Sequence, residues 1–314
     1  MKKITIAVCT YNRANNLSKL VAELRKQICP IECEILFIIN NCTDNTEQVL
    51  TELANQPGMK LRFVHESSQG IAYARNRALV ESMESSYLLF IDDDETPDSK
   101  HLVETAVNEL EKGEVQCVGG KVTVEFGNNK RPKWLVDELL GFYAEINYGE
   151  TPFIIRDEST PIWTSIIAYD MTIFRNNNQL RFNTRYNREG KGIGGGEDVI
   201  MFRDMLKVGV LMKYLPEMGV LHFVESWRIN RRYFWRVHFV AGKKQGQFET
   251  GDYKTMFLGI PPFMGVQFIS HLLNSVLLFL KRDNHYVRQG MNATHALGMI
   301  CGRYLKWKQL GTRA

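Results

Sequence analysis

The feature that most constrains the fold is a regular alternation of short apolar runs with helical stripes over the first 125 residues. The apolar runs are 4–6 residues long and suit buried strands. Between them, apolar residues recur every three or four positions, which predicts helices such as the one that carries Leu17, Leu20, Val21 and Leu24. Alternation of this kind predicts an α/β fold, with a mostly parallel central sheet flanked by helices. The first, second, third and fourth predicted strands are residues 4–9, 35–39, 61–64 and 87–91.

Composition sets the class of protein and its compartment. The chain has 314 residues, 44% hydrophobic and 24% charged, and a net charge of +4, which is too small to indicate a nucleic-acid partner. Six cysteines show no paired zinc spacing, which favours a reducing compartment. The N-terminal apolar stretch is too short for a signal peptide, since polar residues follow Cys9 at once. These features predict a cytoplasmic protein.

The positive charge is concentrated in the tail. From Glu225 onward there are 14 lysines and arginines against four acidic residues. The same region contains a mostly apolar stretch, of which residues 263–280 are at the short limit for a membrane-spanning helix. Three interpretations remain open: a pair of amphipathic helices on a membrane surface, a helical subdomain packed on the catalytic core, and a transmembrane span. The predicted domains are residues 1–225 and a basic, apolar helical extension over residues 226–314.

Three consecutive aspartates, Asp92, Asp93 and Asp94, follow the fourth predicted strand. In open α/β sheets, ligands bind at the carboxyl ends of the strands. Adjacent carboxylates repel one another unless a positive charge lies between them, and oxygen ligands favour a hard cation such as Mg²⁺ or Mn²⁺. The alternative is a solvated acidic turn, because Thr96-Pro97-Asp98 is also a good helix start.

Further polar segments follow the other predicted strands or open helices. They are residues 8–13, 40–44, 70–77 and 195–198, together with an arginine-rich segment between His222 and Gly242. In this order and with the acidic triplet, they resemble the family 2 glycosyltransferases, which have the GT-A nucleotide-sugar-binding fold. The resemblance covers roughly residues 4–242.

The resemblance implies a donor site at the ends of the first, second and fourth strands. Asp94 would bind the metal directly, and Asp92 and Asp93 would support the metal and the donor ribose. Tyr11 would stack on the base, and Thr10 and Arg13 would line the nucleotide pocket. Arg75 would approach the diphosphate or order the base pocket, and Asn40 belongs to the same donor site. His222 is a candidate second metal ligand, although a lone histidine is more often structural.

Asn40 stands where the family usually has an acidic residue. An aspartate accepts a hydrogen bond from the base imide, whereas asparagine both accepts and donates. A UDP-sugar is the favoured donor, and Asn40 leaves another base open.

Glu197 and Asp198 are the candidate catalytic pair. Carboxylates are favoured at a helix N-terminus, so the pair also suits a simple dipole-complementing role. The preceding glycines, Gly194 to Gly196, favour a ligand-binding loop instead, and they do not follow a strand as a dinucleotide-binding fingerprint would. By resemblance, Asp198 deprotonates the acceptor hydroxyl and Glu197 orients it, although the two roles can be exchanged. One base and no evident nucleophile predict a single displacement with inversion.

The predicted function is therefore metal-dependent, inverting transfer of a sugar from a nucleotide-sugar donor to a hydroxyl acceptor. The tail favours a saccharide or lipid-linked saccharide acceptor, as in bacterial surface polysaccharide synthesis, and a location on the inner face of the membrane. Two alternatives are a nucleotidyltransferase-type enzyme, which has a similar acidic metal site, and a non-catalytic nucleotide-sugar-binding protein.

Overall fold

A computed structural model describes residues 1–188 and 195–311. The described chain divides into two compact units. The first unit contains residues 1–125, 144–188 and 196–223, and the second contains residues 126–143, 195 and 224–311. The boundary near residue 224 lies close to the predicted one, whereas residues 126–143 group with the second unit instead of the predicted catalytic domain.

The first unit is built on a mixed sheet with the order β3-β2-β1-β4-β8-β6-β9-β5, in which β7 also pairs with β9. The four strands β3, β2, β1 and β4 are mutually parallel, as predicted from the sequence. The strands that follow add antiparallel pairs, such as β4 with β8. The strands are β1 (Lys3–Thr10), β2 (Glu32–Asn40), β3 (Lys60–Glu66), β4 (Tyr87–Ile91), β5 (Glu95–Pro97), β6 (Cys117–Glu125), β7 (Phe153–Ile155), β8 (Ile166–Asp170) and β9 (Met212–Phe223).

Helices cover this sheet with the apolar stripes that the sequence predicts. Helix α1, for example, buries Leu17, Leu20, Val21 and Leu24. The helices of this unit are α1 (Ala14–Leu24), α2 (Thr46–Ala54), α3 (Ile71–Glu81), α4 (Leu102–Glu111), α5 (Thr172–Asn176) and α6 (Glu197–Lys207). Strands β1, β2 and β4 are largely apolar and buried. Because they run parallel, the polar segments that follow them lie at the same edge of the sheet.

The structure differs from the sequence expectation directly after the acidic triplet. Residues 95–97 form the short strand β5, which pairs with the end of β9, and helix α4 begins only at Leu102. The interpretation of Thr96-Pro97-Asp98 as a helix start is therefore wrong. Pairing with β9 places Glu95 opposite His222.

The second unit is helical and contains α7 (Arg231–Lys244), α8 (Pro262–Leu280) and α9 (Tyr286–Gly311), with a 3₁₀ turn over Asp137–Tyr143. Helices α7 and α9 approach closely through glycines. A Cβ atom at Gly242 would lie 2.1 Å from the carbonyl oxygen of His295, and one at Gly298 would lie 2.2 Å from that of Phe239. This contact explains why the arginine-rich segment ends in a glycine.

Helix α8 is the most exposed apolar element of the described chain. By length and composition, α8 is long enough and apolar enough to cross a membrane. Its mean hydropathy is 1.7, and only 6% of its apolar stretch is buried. Its most exposed large side chains are Val266, Ile269, Leu273, Phe279 and Leu280.

Candidate active site

The loops after β1 and β2 are joined by side chains. The Asn12 side-chain oxygen accepts hydrogen bonds from the backbone N–H groups of Thr43 at 2.7 Å and Asp44 at 3.3 Å. Asp44 in turn accepts from the backbone N–H of Ala14 at the start of α1, at 3.1 Å. The half-buried Tyr11 lies in the first of these loops, so its backbone is fixed by contacts on both sides.

Asn40 organises the loop that leads into α3. Its side-chain nitrogen donates to the carbonyl oxygens of Glu66 and Ser68, at 3.0 and 2.7 Å. Its side-chain oxygen accepts from the backbone N–H of Gly70 at 2.7 Å and from the Gln69 side chain at 3.3 Å. An aspartate lacks the two N–H donors. The asparagine that replaces the family's usual acidic residue thus donates to two carbonyl oxygens within the protein, and its side chain is buried.

The acidic triplet is held by two residues from the first strand and its loop. Thr10 Oγ1 donates to Asp93 Oδ2 at 2.8 Å, and Arg13 pairs with Asp93 Oδ1 at 3.5 Å and Asp94 Oδ2 at 3.2 Å. Burial raises the pKa of Asp93 to about 7, although Arg13 acts in the opposite direction. A carboxyl group this deeply buried needs positive charge close by to stay ionised.

His222 lies beside the same cluster. Its Nδ1 atom is 3.5 Å from Asp94 Oδ1 and 3.6 Å from Glu95 Oε1. Burial raises the pKa of Glu95 to about 7, and Glu95 Oε1 has no hydrogen-bond partner among the described residues. Sequence reasoning missed Glu95, because its place in the site depends on the pairing of β5 with β9.

Arg75 joins the donor side of the site to the predicted catalytic pair. Its guanidinium is buried, donates to Glu197 Oε1 at 2.6 Å and lies 3.4 Å from Asp92 Oδ1. The Phe182 ring covers it at 5.7 Å from the ring centroid. Burial opposes the charge on Arg75, but Asp92 and Glu197 together raise its pKa. Burial, followed by the nearby Asp198, raises the pKa of Glu197.

The two predicted catalytic carboxylates differ in their surroundings. Glu197 is buried and engaged by Arg75. Asp198 is half-buried, and within the described residues its side chain accepts a hydrogen bond from the adjacent backbone N–H of Val199, at 2.8 Å. Helix α6 begins directly after Gly196, whose φ of 115° favours glycine. Gly194, which belongs to the predicted glycine loop, lies outside the described residues.

All predicted site residues therefore lie in the first unit, and most of them are joined by direct contacts. A sequence model of glycosyl transferase family 2 matches residues 5–180, which is more than half of the chain. The chain belongs to this family. Membership decides in favour of a glycosyltransferase over the nucleotidyltransferase and binding-protein alternatives.

Individual relatives are more distant. Poly(ribitol-phosphate) beta-N-acetylglucosaminyltransferase TarS of Staphylococcus aureus strain MW2 is 30% identical over 107 residues, which cover 34% of this chain and 18% of TarS. The match thus spans about a fifth of the length of that relative. A crystal structure of S. aureus TarS 1–349 with UDP-GlcNAc has a TM-score of 0.55 and 16% identity, and covers 95% of this chain and 90% of that one.

A second solved structure shares the fold. The mannosyltransferase PcManGT of Pyrobaculum calidifontis, in complex with GDP-Man and Mn²⁺, has a TM-score of 0.56 and 19% identity, and covers 99% of this chain and 79% of that one. Both structures show that this family 2 glycosyltransferase has the GT-A-like α/β fold that the sequence predicts.

The side chains of Asp94, Glu95 and His222 are of the types that bind divalent cations. Within residues 1–188 and 195–311, no three His, Cys, Asp or Glu side chains are already arranged around a common point. Asp94 and His222 nevertheless offer an oxygen and a nitrogen within 3.5 Å of one another, and Glu95 adds an orphaned buried oxygen. This donor set fits Mn²⁺ or Mg²⁺ for the carboxylates, with the imidazole favouring Mn²⁺.

Replacing Arg75 should leave the buried carboxylate of Glu197 and the half-buried carboxylate of Asp92 without their shared cation. We expect Arg75→Gln to lower the free energy of unfolding by about 3–5 kcal/mol at pH 8. The loss should shrink as the pH falls towards 5.5, because the raised pKa of Glu197 lets the folded variant bind a proton that the unfolded chain releases. Urea unfolding at several pH values measures this difference.

Arg77→Gln is the matched control, since Arg77 lies on the same helix but its side chain is 40% exposed and, within the described residues, its ion-pair partner is Glu81. Its loss should be at most about 0.5 kcal/mol. Equal and pH-independent losses in the two variants would contradict the role assigned to Arg75.

Proposed function

We propose that this glycosyltransferase transfers a sugar from a nucleotide-sugar donor to a hydroxyl acceptor, with a divalent metal and with inversion at the anomeric carbon. The observation that carries the proposal is the buried Arg75 guanidinium. It contacts Asp92 in the donor-side triplet and Glu197 in the acceptor-side pair. A site that must bind a diphosphate and deprotonate an alcohol needs both groups in fixed relative positions.

On the donor side, the proposal assigns the nucleotide to the edge formed by the ends of β1, β2 and β4. Tyr11 would stack on the base, and Thr10 and Arg13 would hold the acidic triplet in place. Asn40 would act through the loop at Gly70, because its side chain is occupied by contacts within the protein. The nucleotide base would consequently be read by other groups. A UDP-sugar remains the favoured donor, because the similar TarS structure was solved with UDP-GlcNAc.

Asp94 and His222 would hold Mn²⁺ or Mg²⁺, with Asp92 and Asp93 in support. When bound, such an ion offsets the negative charge of the nucleoside diphosphate as it leaves. Arg13 contacts Asp93 and Asp94 in the described structure, and it would lie close enough to contribute positive charge to the same diphosphate.

Asp198 is the better candidate for the general base. A base must reach the acceptor hydroxyl and exchange its proton with solvent, and Asp198 is half-buried whereas Glu197 is held by Arg75. Glu197 would orient Arg75 and the start of α6. With a single base and no enzyme nucleophile assigned, the sugar would be displaced once and its anomeric configuration inverted.

The acceptor is proposed to be a saccharide, free or lipid-linked, used in surface polysaccharide synthesis on the inner face of a membrane. The observations in support are the basic composition of the second unit and the exposed helix α8. Val266, Ile269, Leu273 and Leu277 recur at helical spacing and are each more than half exposed. A stripe of this kind favours a helix that lies on the membrane surface over one buried in the protein.

The donor site is tested with a panel of nucleotide sugars that includes UDP-GlcNAc and GDP-mannose. At a ligand concentration about 100 times Kd, binding adds about 2.7 kcal/mol, which should raise Tm by about 4 °C. We expect this rise with MnCl₂ and not with EDTA. Asp94→Ala should abolish it, while Asp204→Ala, which removes a surface carboxylate paired with Lys207, should retain it. A metal-independent rise, or one that Asp94→Ala retains, would refute the assigned metal site.

The proposed binding of α8 to a membrane surface is tested by co-sedimentation of the protein with phosphatidylglycerol vesicles. Leu273→Glu/Leu277→Glu should reduce the bound fraction several-fold, because it places two charges on the exposed stripe of α8. Val80→Glu/Val208→Glu is the matched control, since it adds the same charge at two exposed apolar positions of the first unit. Equal binding of the α8 variant and the wild type would exclude α8 as the membrane contact.

A further inference from the structure

The second unit contains a groove with an aromatic and cationic lining. Its volume is about 760 Å³, and Trp134 and residues of the segment from Trp227 to Arg236 line it. Three arginines, Arg231, Arg232 and Arg236, contribute positive charge. No acidic side chain from the described part of the chain lines the groove. A concave site with this lining favours an anionic ligand that also has an apolar face.

The arginines are arranged against the ordinary preferences of a helix. Arg231 and Arg232 lie in the first turn of α7, which contains no acidic residue, although the helix dipole favours negative charge there. Arg232 and Arg236 are four positions apart, so two like charges lie on the same face. None of the three forms an ion pair with a carboxylate of the described residues. An anion in the groove would relieve all of these unfavourable interactions.

Two of the lining groups are held in position before any ligand binds. The Arg231 guanidinium lies over the rings of Trp134 and Tyr286, at 5.6 and 5.3 Å from their centroids. Trp227 donates from Nε1 to Glu225 Oε2 at 2.9 Å and is 52% exposed. The groove therefore offers a fixed guanidinium and an open indole surface, which reduces the entropy cost of binding.

We propose that this groove binds a phosphate ester carried by the acceptor, with the arginines on the phosphate and Trp227 against the carbon atoms of the attached sugar or polyol. This inference rests on the proposed function, since it names a chemical feature of the acceptor. Arginine is suited to phosphate because its planar fork donates two parallel hydrogen bonds. A phospholipid headgroup has the same phosphate chemistry, but a concave groove lined by indoles suits a discrete ligand better than a flat membrane surface.

Intrinsic fluorescence is a suitable probe, because Trp134, Trp227 and Trp235 are three of the five tryptophans in the chain. Ribitol 5-phosphate should change the emission saturably, and ribitol should not. Arg232→Gln/Arg236→Gln should weaken the phosphate response at least tenfold, and Arg232→Lys/Arg236→Lys should weaken it less. Lys19→Gln/Lys254→Gln removes the same charge at two exposed positions elsewhere and should match the wild type. Circular dichroism checks that each variant is folded.

Three outcomes would overturn the proposal: no saturable response to ribitol 5-phosphate, an equal response to ribitol, or equal weakening in the lysine control. Phosphatidylglycerol vesicles form a separate arm. If the vesicles change the emission but ribitol 5-phosphate does not, and the change requires Arg232 and Arg236, the groove is a headgroup site and the proposal is wrong. Donor-induced stabilisation of the wild type is measured separately. Failure of the donor test would count against the proposed function, whereas failure of the fluorescence test alone would count only against the groove.

Discussion

The rest of the site depends on one buried guanidinium. Arg75 is in contact with Asp92, after β4, and with Glu197, in the first turn of α6. A buried charge is tolerated only when partners surround it, so the position of Arg75 fixes the separation of these two carboxylates. The loop before α3 is held in turn by Asn40 and by Asn187, which accepts from the backbone N–H of Ala72 and donates to the carbonyl oxygen of Gln69. The loop and α3 thus position Arg75.

Much of the fold around this site could be predicted from the local pattern of the sequence. Buried strands and amphipathic helices follow from short-range periodicity, so the first four strands and the edge that carries Thr10 and Asp92 were predictable. The roles of Glu95 and Asn40 were not. Glu95 reaches His222 only through the pairing of β5 with β9, and Asn40 is satisfied by carbonyl groups 26 and 28 residues further along the chain. Contacts over such separations leave no local signal.

The two units carry different kinds of surface. The first has buried, paired carboxylates and arginines, which is the chemistry expected of a donor site. The second has the apolar stripe of α8 and the groove that is lined by three arginines of α7. Helices α7 and α9 pack through Gly242 and Gly298, which allow close backbone contact. These surfaces are the basis for our proposal that the second unit contacts a phosphorylated or lipid-linked acceptor.

The central claim is that Asp198, next to the Arg75-bound Glu197, acts as the base in a single displacement. The most direct test is rapid NMR of the first product formed from an α-linked nucleotide sugar by the wild type and by Asp198→Asn. The account predicts a β-configured product, and a rate that falls roughly 10²- to 10⁴-fold in Asp198→Asn while donor binding is retained. A product of retained configuration, or an Asp198→Asn variant as fast as the wild type, would contradict it.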